Sequence, residues 1–167
     1  MNQRILVTYA SKAGSTGEVA AAIGKTLASN GPTVDVLPLD DVSNIQAYQA
    51  VVVGSAIRAD SWISAATNFV DSHQSTLRQI PTAFFTCCMA LYKQSEENRQ
   101  KALAYMDPIS NMVDPVAIGA FAGKMDYRNI SFLDRTIVKM IGVPEGDFRN
   151  WDAIQAWAGS LQPALGA

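Results

Sequence analysis

This chain of 167 residues predicts one three-layer α/β sandwich around a five-stranded parallel sheet of strand order 2-1-3-4-5. Two observations carry that prediction. Short apolar runs alternate with longer stretches of helical periodicity, and the first run ends in a loop of hydroxyls and glycine that opens a helix. Alternating β and α elements require a parallel sheet with helices on both faces. Right-handed crossovers and five strands then give the doubly wound order 2-1-3-4-5.

The first strand spans about 4–9, where Ile5-Leu6-Val7 has the composition of a strand buried on both faces. A helix follows over about 16–29, and Asn30-Gly31-Pro32 ends it with a C-cap glycine and a proline stop. The second strand covers about 33–38. Ala50-Val51-Val52-Val53-Gly54 forms the third, a central strand by composition. Ile63, Ala66, Phe69, Val70 and Leu77 fall near helical spacing and predict a helix over 62–78. Ile80-Pro81 opens the fourth strand, 81–87, where a first-residue proline is tolerated. A helix over 95–106, a fifth strand at 116–122 and a helix over 150–162 complete the chain. No repeat, low-complexity tract or linker divides residues 1–167, so one domain is expected.

Composition narrows the function classes. The formal net charge of −2 gives no broad basic footprint for nucleic acid. No apolar run approaches the ~20 residues that span a bilayer. MNQRILVTYA enters a strand directly without a signal-peptide pattern. Cys87 and Cys88 are adjacent, which is neither a disulfide framework nor a zinc spacing. A cytoplasmic protein with reduced thiols is the economical expectation.

In an open α/β sheet the ligand lies beyond the carboxyl ends of the strands, beside strand 1. The loops there are 10–16, 54–62, 87–93 and 122–130. The first contains Ser11, Lys12, Ala13, Gly14, Ser15 and Thr16 at the start of a helix. A helix N-terminus offers unpaired N–H groups and the positive end of its dipole to an anion. The loop is neither G-x-x-x-x-G-K-[ST] nor G-x-G-x-x-G, so a nucleoside triphosphate and a dinucleotide are both disfavoured. A hydroxyl-lined loop suits one terminal monophosphate; the alternative is a solvated turn with a capped helix. Loops 54–62 and 87–93 are rich in small, apolar and aromatic residues and suit a flat ring system. Flavin mononucleotide, FMN, combines the two requirements.

The motifs resemble those of the flavodoxin superfamily over essentially the whole chain, most closely the flavodoxin-type, quinone-dependent protoporphyrinogen oxidases. The matching segments include Ser11 to Thr16, Val52 to Arg58, Pro81 to Phe85, Gly119 to Lys124, Asp134 to Ile141 and Asp147 to Trp151. The resemblance implies noncovalent FMN, with Ser11, Lys12, Ala13, Gly14, Ser15 and Thr16 on its phosphate. It places Ser55, Ala56 and Ile57 on one side of the ring and Cys87, Cys88, Met89, Ala90 and Leu91 on the other. Trp62 and Tyr92 are candidate stacking rings. Arg58, Gly123 and Lys124 complete the cofactor set, and the two cations stand where ordinary flavodoxins are acidic. Positive charge beside a ring that accepts electrons raises its reduction potential. No catalytic side chain and no metal ligand are expected. The partners implied are a quinone or a protein redox partner, with a small organic substrate of porphyrinogen type. An enzyme and a simple electron carrier both fit.

Residues 124–148 are too long for an ordinary connection and read as an insertion. Ser131 and Asp134 form a capping pair, and Gly142-Val143-Pro144 a stop. Leu133, Ile137, Met140 and Ile141 share one helical face. Two readings stand open: a lid or membrane contact over about 127–141, or a helix whose apolar face packs on its own domain. Elsewhere, His73 reads as solvated and the cysteines as small hydrophobes. A phosphorylation receiver is disfavoured, because Ala10-Ser11 and Gly54-Ser55 occupy the positions where it carries acids.

Overall fold

The structure, a computed structural model, describes residues 3–11, 14–142 and 144–166. In chain order the elements are β1 (Arg4–Ala10), α1 (Ser15–Ala28), β2 (Thr33–Pro38), β3 (Ala50–Arg58), β4 (Ser61–Trp62), α2 (Ser64–Ser72), α3 (Gln74–Leu77), β5 (Thr82–Cys87), α4 (Glu96–Ala104), α5 (Asp107–Met112), β6 (Ala117–Phe121), β7 (Lys124–Met125), α6 (Phe132–Met140), β8 (Gly146–Asp147) and α7 (Trp151–Leu165). Strands β2-β1-β3-β5-β6 form the parallel path. Since β5 and β6 are the fourth and fifth parallel strands, the expected order 2-1-3-4-5 holds. The sheet is larger than expected by one strand, because β3 runs on past Gly54 and folds back as the antiparallel β4.

Side-chain alternation along the strands builds two cores. Ile5, Val7, Val52 and Phe85 point to one face, under Val19, Ile23 and Leu27 of α1 and Ile154, Ala158 and Leu161 of α7. Leu6, Val51, Val53 and Phe84 point to the other, under Ala66, Phe69 and Val70 of α2, Leu77 of α3 and Ile109 of α5. The strands therefore need apolar residues at successive positions, as their composition shows.

Several expectations are corrected. The helix over 62–78 breaks at His73, whose backbone leaves the helical region (φ −114, ψ 17). His73 is only partly exposed: its ring lies 4.5 Å from Phe69, and Nδ1 donates to the Phe69 carbonyl at 2.8 Å. The helix over 95–106 stops at Ala104, and Pro108 starts a second helix, α5. Proline lacks the N–H of a helix interior but suits a first turn. Finally, the segment after β6 forms a separate antiparallel ribbon, Lys124 opposite Asp147 and Met125 opposite Gly146, with α6 between its strands.

Candidate functional site

Beyond the carboxyl end of β1, Gly14 occupies the N-cap of α1 with φ 86, a left-handed conformation that favours glycine. No side chain caps the helix. Instead the Ser11 hydroxyl accepts from the Gly14 N–H at 2.9 Å and shapes the loop. Lys12 and Ala13 lie outside the described residues. Ser15 is half-buried. Thr16 is fully buried, and its hydroxyl has no hydrogen-bond partner. Such a group costs free energy unless something arrives to bond it. The Cys87 thiol, pushed up to about 12 by burial, is close enough to feel the Thr16 hydroxyl and the Arg149 charge, but no hydrogen bond of ordinary geometry joins it to Thr16. The start of α1 is thus uncapped, and the buried hydroxyl in its first turn is without a hydrogen-bond partner.

At the same end of the sheet, β3 leads into a tight hairpin. Ala56 and Ile57 are half-buried. Ser55 is placed differently from expectation: its hydroxyl donates to the Ala56 carbonyl at 2.8 Å and accepts from the Ile63 N–H at 3.0 Å, so it ties β3 to α2. Ala59 and Asp60 form the two-residue turn with φ 49 and 62. Left-handed non-glycine residues carry strain. Asp60 is anchored by the Tyr105 hydroxyl at 2.9 Å; burial first, then this carboxylate, pushes the Tyr105 phenol up to about 12.

Trp62 must be withdrawn from the candidate cofactor set. Its ring is 3% exposed and meets Phe84 edge-on at 5.6 Å, within the core beneath α2. The β4 pairing decides this, because placing Trp62 opposite Ile57 turns the indole into the protein.

Cys88 and Leu91 are buried with Ala122, and Ile57, Ala90, Tyr105 and Phe148 pack against them. Met89 and Ala90 are half-buried. Gly123 is packed so closely that a Cβ there would lie 3.3 Å from the Met89 sulfur. Tyr92 faces Phe148 at 5.7 Å between ring centroids. Thus the loops carrying Ile57, Ala90, Leu91 and Ala122 converge. Cys87 does not join them; it belongs to the core under α1 and α7.

Of the two expected cations, Arg58 is engaged in an ion pair. Arg58 donates to Asp134 of α6 at 2.6 Å, both side chains being about one-third exposed. Lys124 lies near Asp126 and Asp147, whose carboxyls are held low first by hydrogen bonds from Arg128 and Arg149 respectively and only last by the Lys124 charge.

Sequence reasoning missed Arg149. Its side chain is only 4% exposed. Nε and Nη2 form a fork on Asp147 at 2.8 and 2.7 Å, Nη1 reaches Glu18 at 3.1 Å and the Ser15 carbonyl at 3.4 Å, and the guanidinium lies 4.6 Å from the Trp151 ring centre. The fork holds the Asp147 carboxyl down to about 2. Strand β8 is thereby fastened to the first turn of α1. The signal was the i, i+2 Asp-x-Arg spacing before a helix start, which local periodicity does not weigh.

The model of one family, described as a flavodoxin domain, matches residues 6–151. The chain belongs to that flavodoxin domain family. Within the family it is similar to a protein of Leishmania major named protoporphyrinogen IX dehydrogenase [quinone], 25% identical over 93% of this chain and 73% of the relative. A protein of the same name from Escherichia coli K12 is 26% identical over 83% of this chain and 78% of the relative. Among solved structures, a flavoprotein from Lactobacillus acidophilus in complex with FMN superposes with a TM-score of 0.53 at 10% identity, covering 72% of this chain and 93% of its own. In this chain α6 is held to β3 by the Asp134–Arg58 ion pair, and β8 is held by Asp147–Arg149.

Proposed function

We propose that this flavodoxin-domain protein binds FMN without a covalent bond and is an oxidoreductase that delivers electrons to a quinone. The observation that carries the reading is the uncapped start of α1 with its buried, partnerless Thr16 hydroxyl, at the sheet end where two apolar loops converge. The first is a monophosphate socket, and the second suits a flat ring. FMN supplies the electron-accepting ring; the protein supplies position and electrostatics. The α1 N–H groups and the hydroxyls of Ser15 and Thr16 bind the phosphate. Ala56, Ile57, Ala90 and Leu91 shield the ring from water, with Met89 and Gly123 beside them. Arg58 places a cation there whose effect Asp134 moderates.

The relatives' shared name supports a porphyrinogen-like donor and a quinone acceptor for this chain. A plain electron carrier is the second reading. The insertion favours the enzyme, because its tethers reach both the phosphate helix and the end of β3. We place the protein on the cytoplasmic side, with a lipid-soluble quinone reached from the membrane surface. Purified protein reconstituted with FMN, FAD and riboflavin tests the cofactor. FMN should bind far more tightly than riboflavin, because only FMN fills the phosphate socket. Equal affinities refute the socket. Anaerobic reduction followed by mixing with a soluble quinone then tests the acceptor: reoxidation too slow for turnover favours the carrier.

A further inference from the structure

The open edge of the sheet carries a groove. Strand β6 is the last of the parallel path and pairs only with β5, so alternate backbone N–H and C=O groups along it face away from the sheet. The chain from Ile118 to Ala122 floors a groove of about 500 Å³. The starts of α4 and α7 form its walls, with Arg99 on one side and Ala153 and Trp157 on the other. That volume falls within the roughly 300–1,000 Å³ of small-molecule sites. Gly119 seats the tryptophan: a Cβ there would lie 2.8 Å from the indole, so the lack of a side chain lets the ring lie against the strand. The indole meets Phe121 edge-on at 5.6 Å and stays half-buried, which leaves an aromatic surface in the groove. The two charges of the α4 wall are unequal. Glu96 stands in the first turn of α4, where the helix dipole offsets its charge, and accepts from the Gln100 amide at 2.7 Å. Arg99 is exposed and makes no ion pair among the described residues.

We infer that this groove is a second ligand site, for a flat organic acid whose body lies along the β6 edge against Trp157 and whose carboxylate meets Arg99. Three features select this class. The indole, with Leu91 and Ile118, suits a flat apolar body. The outward N–H and C=O groups of the strand edge offer hydrogen bonds to its substituents. A guanidinium without a partner takes a carboxylate as a fork. Leu91 and Ala122 belong both to this groove and to the cluster where the ring loops converge, so the groove opens beside the candidate ring site. A role for the acid as electron donor to a flavin rests on the function proposed above. The site itself does not, because no residue at the start of α1 lines it.

The test titrates pyrene carboxylate and its uncharged amide, pyrene carboxamide, into the purified full chain, first without and then with FMN. Quenching of tryptophan emission gives the affinities, and NMR shifts of backbone and indole N–H groups give the place. The carboxylate should bind roughly fivefold more tightly than the amide, the contribution of one exposed ion pair. Arg99→Gln should erase that preference and leave amide binding unchanged. Ala153→Glu puts an acid in the first turn of α7, where the helix favours it, and should weaken the carboxylate alone by roughly fivefold. Both positions are exposed, so the melting curves of the variants should match wild type. The Trp157 indole and the Ile118 and Ala120 amides should shift. Shifts confined to α6 overturn the inference; its apolar stripe is the competing surface, since Leu133 is 69% and Met140 81% exposed and the stripe does not pack on its own domain. No saturable binding, equal affinities for acid and amide in the wild type, or displacement of the acid by FMN also overturn it. Because the acid is read on the flavin-free chain, this site can fail while FMN binding succeeds, and the reverse.

Discussion

Thr16→Val should act in opposite directions on the empty protein and on cofactor affinity. Threonine and valine have nearly the same shape and similar helix propensity, so the exchange mainly deletes a hydroxyl. That hydroxyl is fully buried and has no hydrogen-bond partner. A buried hydroxyl without a partner costs about 1–3 kcal/mol in desolvation. Its removal should stabilise the apoprotein by about 1 kcal/mol, the low end of that range. For a chain of this size that is ~2–4 °C in Tm. With FMN the sign reverses. A hydrogen bond to a charged phosphate contributes about 1.5–3 kcal/mol, so Kd should rise roughly ten- to hundredfold. Urea unfolding of the apoprotein and quenching of flavin fluorescence measure the two quantities separately. An apoprotein destabilised by the exchange would mean that the hydroxyl already has a partner. An unchanged Kd would remove Thr16 from the phosphate site.

Asp134→Asn should raise the reduction potential of the bound flavin by tens of millivolts, equivalent to about 1 kcal/mol, because it leaves the Arg58 charge uncompensated; spectroelectrochemistry showing no change would place Arg58 away from the ring. Asp147→Asn should destabilise the fold by about 1 kcal/mol at neutral pH, the apparent linkage energy being discounted because the Asp147 side chain is 42% exposed. The same carboxyl has a folded pKa of about 2 against an ordinary 3.8, so its contribution is complete above pH 3.8 and is lost as pH falls through about 2. A wild-type-minus-variant stability difference that persists at pH 2 would contradict this. Gly54→Ala drives a Cβ into the Phe85 ring and should cost about 1–3 kcal/mol by overpacking, measured by urea unfolding.

Much of this molecule was legible in one dimension. The β1, β3 and β5 runs are apolar at successive positions because both sheet faces are covered, and that burial leaves its mark on every residue of the strand. The tight turn from β1 into α1 was legible because its signal is local: Ser11, Gly14 and the start of α1 lie within one turn of chain. The capping of α6 by Ser131, whose hydroxyl accepts from the Asp134 N–H at 3.1 Å, was readable for the same reason.

What the sequence left open were directions. Periodicity shows that Leu133, Ile137 and Met140 share a face, but not whether that face meets the protein or the outside. Two polar tethers, Arg58–Asp134 and Arg135–Tyr127, turned it outward. Trp62 likewise reads as a loop aromatic near a ligand until the β3–β4 pairing rotates it into the core. Arg149 reads as an ordinary charge near a helix start until residues 131 and 134 positions away, Glu18 and Ser15, close around its guanidinium. Hydrophobic pattern and capping depend on neighbours within a few residues, so the sequence alone determines them. The side on which an element is attached, and the partner a buried charge finds, depend on contacts between distant segments, and only the tertiary structure decides those.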